Sequence, residues 1–389
     1  MNKKPVNKIL YRDAFLCTVM TFLVAGFLYY AFVNLSVLDP FEKAFKDFKF
    51  TDIFYSKRIN KTQRNDKIIL VNIKHADRFQ LAELINKINS FEPSAIGLDI
   101  IFQERRLEFT DSILQAALSS NKKIVTAYYH EKDSIVNNHS YFQIKGETKG
   151  YINLNLEGQN SVIRDFLGVK EQNDQEFAFA TQLALKAGFI DEDYALKELT
   201  KPIPINYIGN KDVFLNFEIE EVLNSEQIPA FKNAVIILGY LGEGDEKYDI
   251  EDKHFTPLNA EWVGRAVPDT FGVVIHANIL NMLSKQSLIY RVSKFTTYLL
   301  AFIICFFTIF FSMKLYVKNS FVFDVSEKII QLLISVLLLY LALLLLQANI
   351  YLSVVPIILL PILGVEMIDY YEHLVKYLNN KFNWESHLL

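Results

Sequence analysis

Four long apolar segments limit what this chain can fold into more than any other feature of its sequence. They contain no Asp, Glu, Lys or Arg, and each approaches the length that a helix needs to cross the hydrocarbon core of a bilayer: Ala14–Val33, Phe295–Met313, Ile329–Ala348 and Ile350–Val365. Proton and ion pathways normally depend on ionisable groups inside such spans. The sequence therefore predicts an anchored membrane protein and argues against a transporter or channel formed by this chain alone.

Basic residues determine the predicted orientation of the first segment. Lys3, Lys4, Lys8 and Arg12 precede it, and the positive-inside rule places such residues in the cytoplasm. Bulky residues occupy the zone where a signal peptide would be cleaved, which favours an uncleaved anchor. We therefore predict a multi-pass membrane protein with both termini in the cytoplasm and its large domain exported.

The spans divide the chain into consecutive regions. They begin with a cytoplasmic N-terminus (1–13), a first transmembrane helix (14–35), an extracytoplasmic domain (36–292) and a second transmembrane helix (294–313). These are followed by a cytoplasmic loop (314–327), a third transmembrane helix (328–348), a fourth transmembrane helix (350–366) and a cytoplasmic tail (367–389). Apolar residues recur in the tail at helical spacing, which predicts an amphipathic helix. This helix is expected either to lie on the inner leaflet or to dock into the groove of a partner protein.

The extracytoplasmic domain is predicted to be an α/β fold. Lys67–Phe102 reads as a buried strand, an amphipathic helix and a second buried strand, which is a βαβ unit. Such units are right-handed and imply a mainly parallel sheet with helices on both faces. Before this unit, apolar residues between Leu38 and Phe48 share one helical face. They predict a short helix that either docks on the domain or lies at the lipid interface.

Composition and motifs argue against several classes of function. The net charge is −4, without the basic field that binds nucleic acid. Both cysteines, Cys17 and Cys305, fall in predicted spans, so the domain needs no disulfide. The chain has no Gly-rich phosphate loop, no zinc-like spacing and no GxSxG elbow. We therefore predict no enzyme activity, no metal and no cofactor.

A succession of motifs gives the domain a family resemblance. Their order is KIILVNI, SAIGLDIIF, TDSILQAAL, KGYINLN with SVIRDF, PINY, NAVIILG, DKHFTPL and FGVVIHANILNMLSKQ. In this order the chain resembles the second class of CHASE (cyclase/histidine-kinase-associated sensory extracellular) domain over roughly Leu38–Arg291. The resemblance implies an extracellular sensory module, usually with one span before it and three after it. Members occur on bacterial adenylate cyclases, histidine kinases and serine/threonine kinases, so the resemblance also implies a bacterial inner-membrane protein whose large domain lies on the periplasmic side.

Five residues in these motifs are candidate ligand contacts: Asp99, Phe102, Asp252, Thr256 and His276. Asp99 ends a predicted parallel strand, at the edge where open α/β sheets place ligands, although it could instead cap a helix or a turn. His276 is either a core histidine or, with His254 and Asp252, part of a metal or acid/base cluster if the fold brings them together. The acidic residues between Glu243 and Asp252 are expected to be a solvated run rather than a calcium loop.

Two hypotheses for function follow. In the first, the domain is a sensor that binds a small molecule or protein and relays through the membrane bundle to a separate effector, such as a kinase or cyclase. Glu366–Leu389 is too short for such an output domain. In the second, the chain is a non-catalytic structural or assembly subunit of an envelope complex, which its 14% aromatic content favours. The expected partners are other membrane or envelope proteins and the lipid bilayer, with a possible homo-oligomer.

Overall fold

The chain divides into two compact units. The computed structural model describes residues 6–34, 50–56, 64–132, 134–144, 146–154, 156, 161–171, 175–243, 249–259, 267–316 and 320–389. The helical unit comprises Met1–Phe45 and Tyr290–Leu389, and the α/β unit comprises Lys46–Ile289. The helix predicted between Leu38 and Phe48 lies outside the described residues.

Local sequence pattern accounts for most of the elements. In the helical unit they are α1 (Val6–Asn34), β14 (Tyr290–Arg291), α9 (Lys294–Tyr316), α10 (Ser320–Gln347), β15 (Ile350–Tyr351) and α11 (Val354–Phe382). In the α/β unit they are α2 (Phe50–Ser56), β1 (Asn65–Asn72), α3 (Arg78–Ser90), β2 (Ala95–Leu98), α4 (Glu108–Ser120), β3 (Ile124–Glu131), β4 (Ser134–Val136), β5 (Thr148–Tyr151), β6 (Asp165–Phe166), β7 (Val169–Glu171), β8 (Gln175–Phe177), α5 (Phe179–Lys186), α6 (Glu192–Glu198), β9 (Ile203–Pro204), β10 (Phe214–Glu218), α7 (Ile219–Asn224), β11 (Val235–Gly239), β12 (Lys253–His254), β13 (Thr270–Phe271) and α8 (Gly272–Ser284).

A mainly parallel sheet forms the centre of the α/β unit. The strand order is β10-β1-β11-β2-β3, with β5 parallel and β4 antiparallel to β3. The predicted mixed α/β class with a parallel sheet is therefore confirmed. The two strands of the predicted βαβ unit are parallel but not adjacent, because β11 pairs with both of them. The residues of β11 are all buried, as expected for a continuous apolar strand at the centre of a sheet.

Alternate residues of the strands pack against helices on opposite faces. On one face, Ile69, Ile96 and Ile236 share a core with residues of α3, α4 and α7. On the other face Gly97 leaves room for α5, since a Cβ atom there would lie 2.8 Å from Leu183 Cδ1. Residues two positions apart in a strand share a face, so Asp99, like Gly97, lies on the α5 side of the sheet.

Four helices in the described part of the chain are long and apolar enough to cross a membrane. Their candidate spans are Lys8–Ala31, Lys294–Tyr316, Ser326–Gln347 and Val354–Phe382. α1, α9 and α11 share a core, in which Gly364 of α11 allows close approach to Cys305 and Ile309 of α9. α11 is one continuous helix that runs from the predicted fourth span into the predicted amphipathic tail and ends at Phe382.

A short strand pair joins two distant segments of the helical unit. β14 and β15 are parallel, with Tyr290 opposite Ile350 and Arg291 opposite Tyr351. The Tyr290 N–H donates to the Asn349 carbonyl, and the Val292 N–H donates to the Tyr351 carbonyl, both at 2.9 Å. The residues that lead into α9 are therefore bonded to the connection between α10 and α11.

Candidate functional site

An open groove lies at the carboxyl edge of the sheet, between the β1–α3 and β2–α4 loops. It has a volume of about 860 Å³. Its apolar lining includes Ile73, Leu81, Ile100, Phe102 and Leu107. Loops at this edge of an open parallel sheet are the usual location of ligand sites, because the strand ends converge there. Among the predicted ligand contacts, only Phe102 lines this groove.

An ion pair links the two walls of the groove. Arg78, in the first turn of α3, donates a hydrogen bond to Asp111 of α4, whose side chain has no exposed surface. The Arg106 N–H donates to the other Asp111 oxygen at 2.8 Å. Burial opposes ionisation of Asp111, but the hydrogen bonds from Arg78 and Arg106 outweigh it and lower the pKa of Asp111. The charged pair therefore fixes α3 and α4 relative to each other beneath the groove.

Phe102 packs directly against this pair. Its ring centroid is 5.5 Å from that of Phe142, and the Arg78 guanidinium carbon lies 5.1 Å from the Phe142 centroid. The Phe102 N–H donates to Asn138 Oδ1 at 2.7 Å. At 6% exposure Phe102 is chiefly a packing residue that forms part of the groove surface.

A buried amide holds the β1–α3 loop in place. The Asn72 side chain, 3% exposed, donates to Glu218 and to the Gly242 carbonyl, and its Oδ1 accepts from the Lys74 and Leu241 N–H groups. One residue thereby connects the ends of β1 and β10 with the loop after β11. The loop also carries Asp77, which forms a capping box with Gln80 at the start of α3.

Asp99, Asp252 and His276 lie on the other face of the sheet, around the start of α8. Asp99 Cβ is 3.4 Å from the position of a Cβ atom at Gly239, and a Cβ atom at Gly272 would lie 3.2 Å from Asp252 Oδ2. No described residue donates a hydrogen bond to the Asp99 carboxyl group. Burial, together with the charge of Asp252, raises the pKa of Asp99 to about 8. The Asp252 side chain is 43% exposed, so Asp252 ionises more readily than Asp99.

Two histidines accompany these carboxyl groups. His254 Nε2 is 3.9 Å from Asp252 Oδ1 and would lie 3.5 Å from a Cβ atom at Gly272. His276 follows Gly272 by one helical turn, is 3% exposed and packs edge-on against Phe179, at 5.1 Å between ring centroids. Its Nδ1 has no hydrogen-bond partner among the described residues. Burial, and secondarily His254, lowers the pKa of His276 to about 3, which keeps the ring neutral.

Thr256 lies at a third location, beside the β12–β13 strand pair. Its hydroxyl donates to Asp269 Oδ2 at 2.5 Å and its N–H donates to Asp269 Oδ1 at 2.8 Å. Thr270 donates to the same carboxylate at 2.7 Å. These bonds stabilise the β12–β13 hairpin, so Thr256 acts here as a structural residue.

The acidic run between Glu243 and Asp252 is described only in part. Asp249 accepts hydrogen bonds from the Tyr240 hydroxyl and from the Glu243 and Glu251 N–H groups, while Asp245 and Glu246 lie outside the described residues. Within the described ranges, no group of three or more His, Cys, Asp or Glu side chains could hold a metal ion.

The sequence analysis did not identify Asn72, Arg78 and Asp111 as site residues. Arg78 and Asp111 are separated by 33 positions and Asn72 joins loops that follow three strands. A polar residue at the end of an otherwise apolar strand was the one signal that could have indicated Asn72.

Comparison with known proteins gives one match. A family model described as the CHASE2 domain matches residues 20–313. The matched range includes the whole α/β unit, and it confirms the resemblance inferred from the motifs. Neither the curated proteins nor the solved structures gave a match.

Proposed function

The chain belongs to the CHASE2 domain family of sensory extracellular domains, and from this premise we propose that it is a membrane-anchored sensor. Its α/β unit binds a small molecule or peptide in the groove outside the cytoplasm. The four apolar helices anchor this unit in the bacterial inner membrane and relay binding to a separate effector protein. The groove at the carboxyl edge of the sheet is the observation that carries the proposal.

The construction of the groove supports a binding role. Its two loops are each fixed from below, one by Asn72 and the other by Asp111, so the walls are largely formed before a ligand arrives. A preformed site loses less conformational entropy on binding, which leaves more of the contact energy as affinity. The mixed apolar and charged lining suits a ligand that has both kinds of group.

The order of elements along the chain supports the proposed relay. Nearly all residues of α8 are buried, and Leu288 and Ile289, which follow it, are each 2% exposed. The next residues form β14, which is hydrogen-bonded to the connection between α10 and α11. The segment from α8 to β14 is therefore the part of the chain through which we propose that binding is relayed.

Ligand-induced stabilisation of the full chain in lipid nanodiscs tests the groove. A ligand at about one hundred times its Kd adds about 2.7 kcal/mol to stability, which a thermal-shift screen of envelope metabolites and peptides would detect. Leu107→Arg, in the groove lining, is expected to reduce the shift. Phe109→Arg is the matched control, because Phe109 has a similar exposure, 69% against 67%, and does not line the groove. Equal shifts in both variants would place the ligand elsewhere, and no shift with any ligand counts against a sensor.

Exposed apolar side chains at the starts of α3 and α4 favour a second candidate, a non-catalytic assembly subunit of an envelope complex. Phe79, Leu107 and Phe109 are 38%, 67% and 69% exposed, and contiguous exposed apolar surface commonly marks protein interfaces. Gentle detergent extraction followed by mass spectrometry distinguishes the two candidates. An assembly subunit is expected to yield a stoichiometric complex that both arginine variants weaken, whereas a groove sensor retains its effector in the Phe109→Arg variant.

A further inference from the structure

A cleft between three of the apolar helices has about the length of one bilayer leaflet. It lies between α9, α10 and α11 and comprises about 480 Å³ of empty space, part of which is open to the surroundings. On α10 its lining runs from Glu327 to Leu338, which is about 16 Å at the rise of an α-helix. The hydrocarbon core of a bilayer is about 30 Å thick, so the cleft extends over about half of it.

The cleft exists because α10 packs closely on its neighbours at one end only. Within the candidate span Ser326–Gln347, the buried residues are Ala342 and Leu346, and both lie beyond the end of the cleft at Leu338. From Leu338 back to Glu327, every residue of α10 is at least partly exposed. This half of the helix therefore leaves space beside α9 and α11.

The walls of the cleft are apolar in character. Its lining includes Ile334 and Leu338 of α10 and Ile358 of α11. Thr308 and Ser335 also line it, but each hydroxyl donates to a carbonyl of its own helix, at 2.8 and 2.7 Å. Apolar space with few polar partners does not hold water, and an unfilled gap forfeits the dispersion contacts of its lining. The walls therefore suit a hydrocarbon chain.

Charged groups lie at the Glu327 end of the cleft. Glu327 belongs to the lining, and its side chain is 9% exposed. It accepts hydrogen bonds from Gln331 at 2.8 Å and from Lys328 at 3.0 Å, and Lys328 also donates to Glu366 of α11. The cleft is thus apolar along one leaflet and charged at the end of that leaflet, which is the distribution of polarity in a phospholipid.

The balance of charge at this end discriminates between head groups. Glu327, Glu366 and Lys328 are two carboxylates and one ammonium group, which give a net charge of −1. Lys314, near the end of α9, lies over the Phe310 ring, 6.0 Å from its centroid. A head group with an ammonium provides the missing cation, whereas an anionic head group without one adds to the negative charge.

We propose that the cleft binds one phospholipid whose head group carries a primary ammonium, such as phosphatidylethanolamine. One acyl chain lies between α10 and the α9–α11 pair, the ammonium binds Glu327, and the phosphate accepts a hydrogen bond from Lys328. The bound chain fills the space beside α10 and so supports the packing of that helix. The site requires the helices to lie in a membrane, which is the one premise it shares with the proposed sensory function.

Native mass spectrometry of the full chain tests the proposal. The chain, in detergent, is titrated with phosphatidylethanolamine or with phosphatidylglycerol of the same acyl chains. A single phosphatidylethanolamine is expected to bind the wild type about fivefold more tightly than phosphatidylglycerol, the upper range for a partly exposed ion pair. Glu327→Gln should remove this preference, because the amide keeps the shape of the side chain but not its charge. Asp369→Asn, the corresponding change at an exposed carboxylate of α11 outside the lining, should keep it.

A larger side chain inside the cleft provides a second readout that does not depend on charge. Ile334→Trp places an indole ring in the space proposed for the acyl chain, so it should abolish the complex with a single lipid. Leu337→Trp is the matched control, because Leu337 is 65% exposed on the same helix and does not line the cleft. If Ile334→Trp fails to fold, Ile358→Phe, on the α11 wall, decides.

Three results would overturn the proposal. They are equal binding of the two lipids to the wild type, an unchanged preference in Glu327→Gln, and a complex that survives the cleft-filling variant. Several lipids attached with equal affinity to every variant would show annular lipid only, which also overturns it. The groove ligand is tested by thermal shift in the α/β unit, so a negative result here leaves the groove proposal intact.

Discussion

At the scale of single residues, buried charge decides whether the groove keeps its form. Asp111→Ala leaves Arg78 without its partner in the core, and removing one member of a buried ion pair typically costs about 3 to 5 kcal/mol. We expect a loss of this size in pulse proteolysis of the full chain. Glu104→Ala is the control, because the exposed Glu104–Arg106 pair should contribute at most about 1 kcal/mol. Equal effects of the two changes would show that Asp111 does not support the groove.

The lowered pKa of Asp111 gives the Arg78–Asp111 pair a definite pH dependence. A carboxyl group whose pKa is lowered in the folded state contributes stability above its unfolded value, near pH 4, and loses that contribution as the pH falls through its folded value. The Asp111 contribution should therefore be complete at neutral pH and decline only in acid. Asp111→Ala should accordingly have a smaller effect at low pH than at pH 7, which the same measurement would check.

At the scale of elements, the β14–β15 pair is the feature on which the proposed relay depends. Tyr290 and Ile350 are direct partners in parallel strands, whose spacing of about 4.7 to 4.9 Å suits a disulfide. Cysteines at both positions should form an intramolecular disulfide on mild oxidation, identified by mass spectrometry of the digested chain. The Tyr290→Cys and Ile350→Cys single variants are the controls. Free thiols that persist at positions 290 and 350 of the double variant, as distinct from those of Cys17 and Cys305, would mean that the strands are not paired in the membrane-bound protein.

At the scale of the helical unit, the two ends of the chain are joined through one buried carboxylate. Asp13 of α1 has no exposed surface and accepts hydrogen bonds from the Ser386 hydroxyl at 2.7 Å and the His387 N–H at 2.8 Å. The Arg12 guanidinium carbon is 4.5 Å from the centroid of the Trp384 ring. The segment after α11 therefore packs on α1.

Stability measurements on double variants test this connection. Asp13→Ala and deletion of residues 384–389 both remove the hydrogen bonds from Ser386 and His387 to Asp13, so their combined cost should be smaller than the sum by about 0.5 to 3 kcal/mol. Unfolding in mixed micelles would measure it. Leu23→Ala, at a residue of α1 that is 70% exposed, should be additive with the deletion. Full additivity for Asp13→Ala would show that Asp13 and the C-terminal segment do not interact.

The sequence by itself determined the apolar spans, the strand and helix types and the family. Each depends on a pattern within one short segment, such as the continuous apolar residues of β11 or the helical spacing in α3. Asp99 could be placed at a strand end for the same reason.

Only the tertiary structure decided which residues meet. It placed β11 between β1 and β2, paired Arg78 with Asp111, and brought Asp252 of a late loop to the start of α8 while leaving Phe102 on the opposite face. Hydrophobic periodicity states which face of an element is buried but not which element covers it. That choice depends on the packing of the whole chain and on the cost of closing long loops.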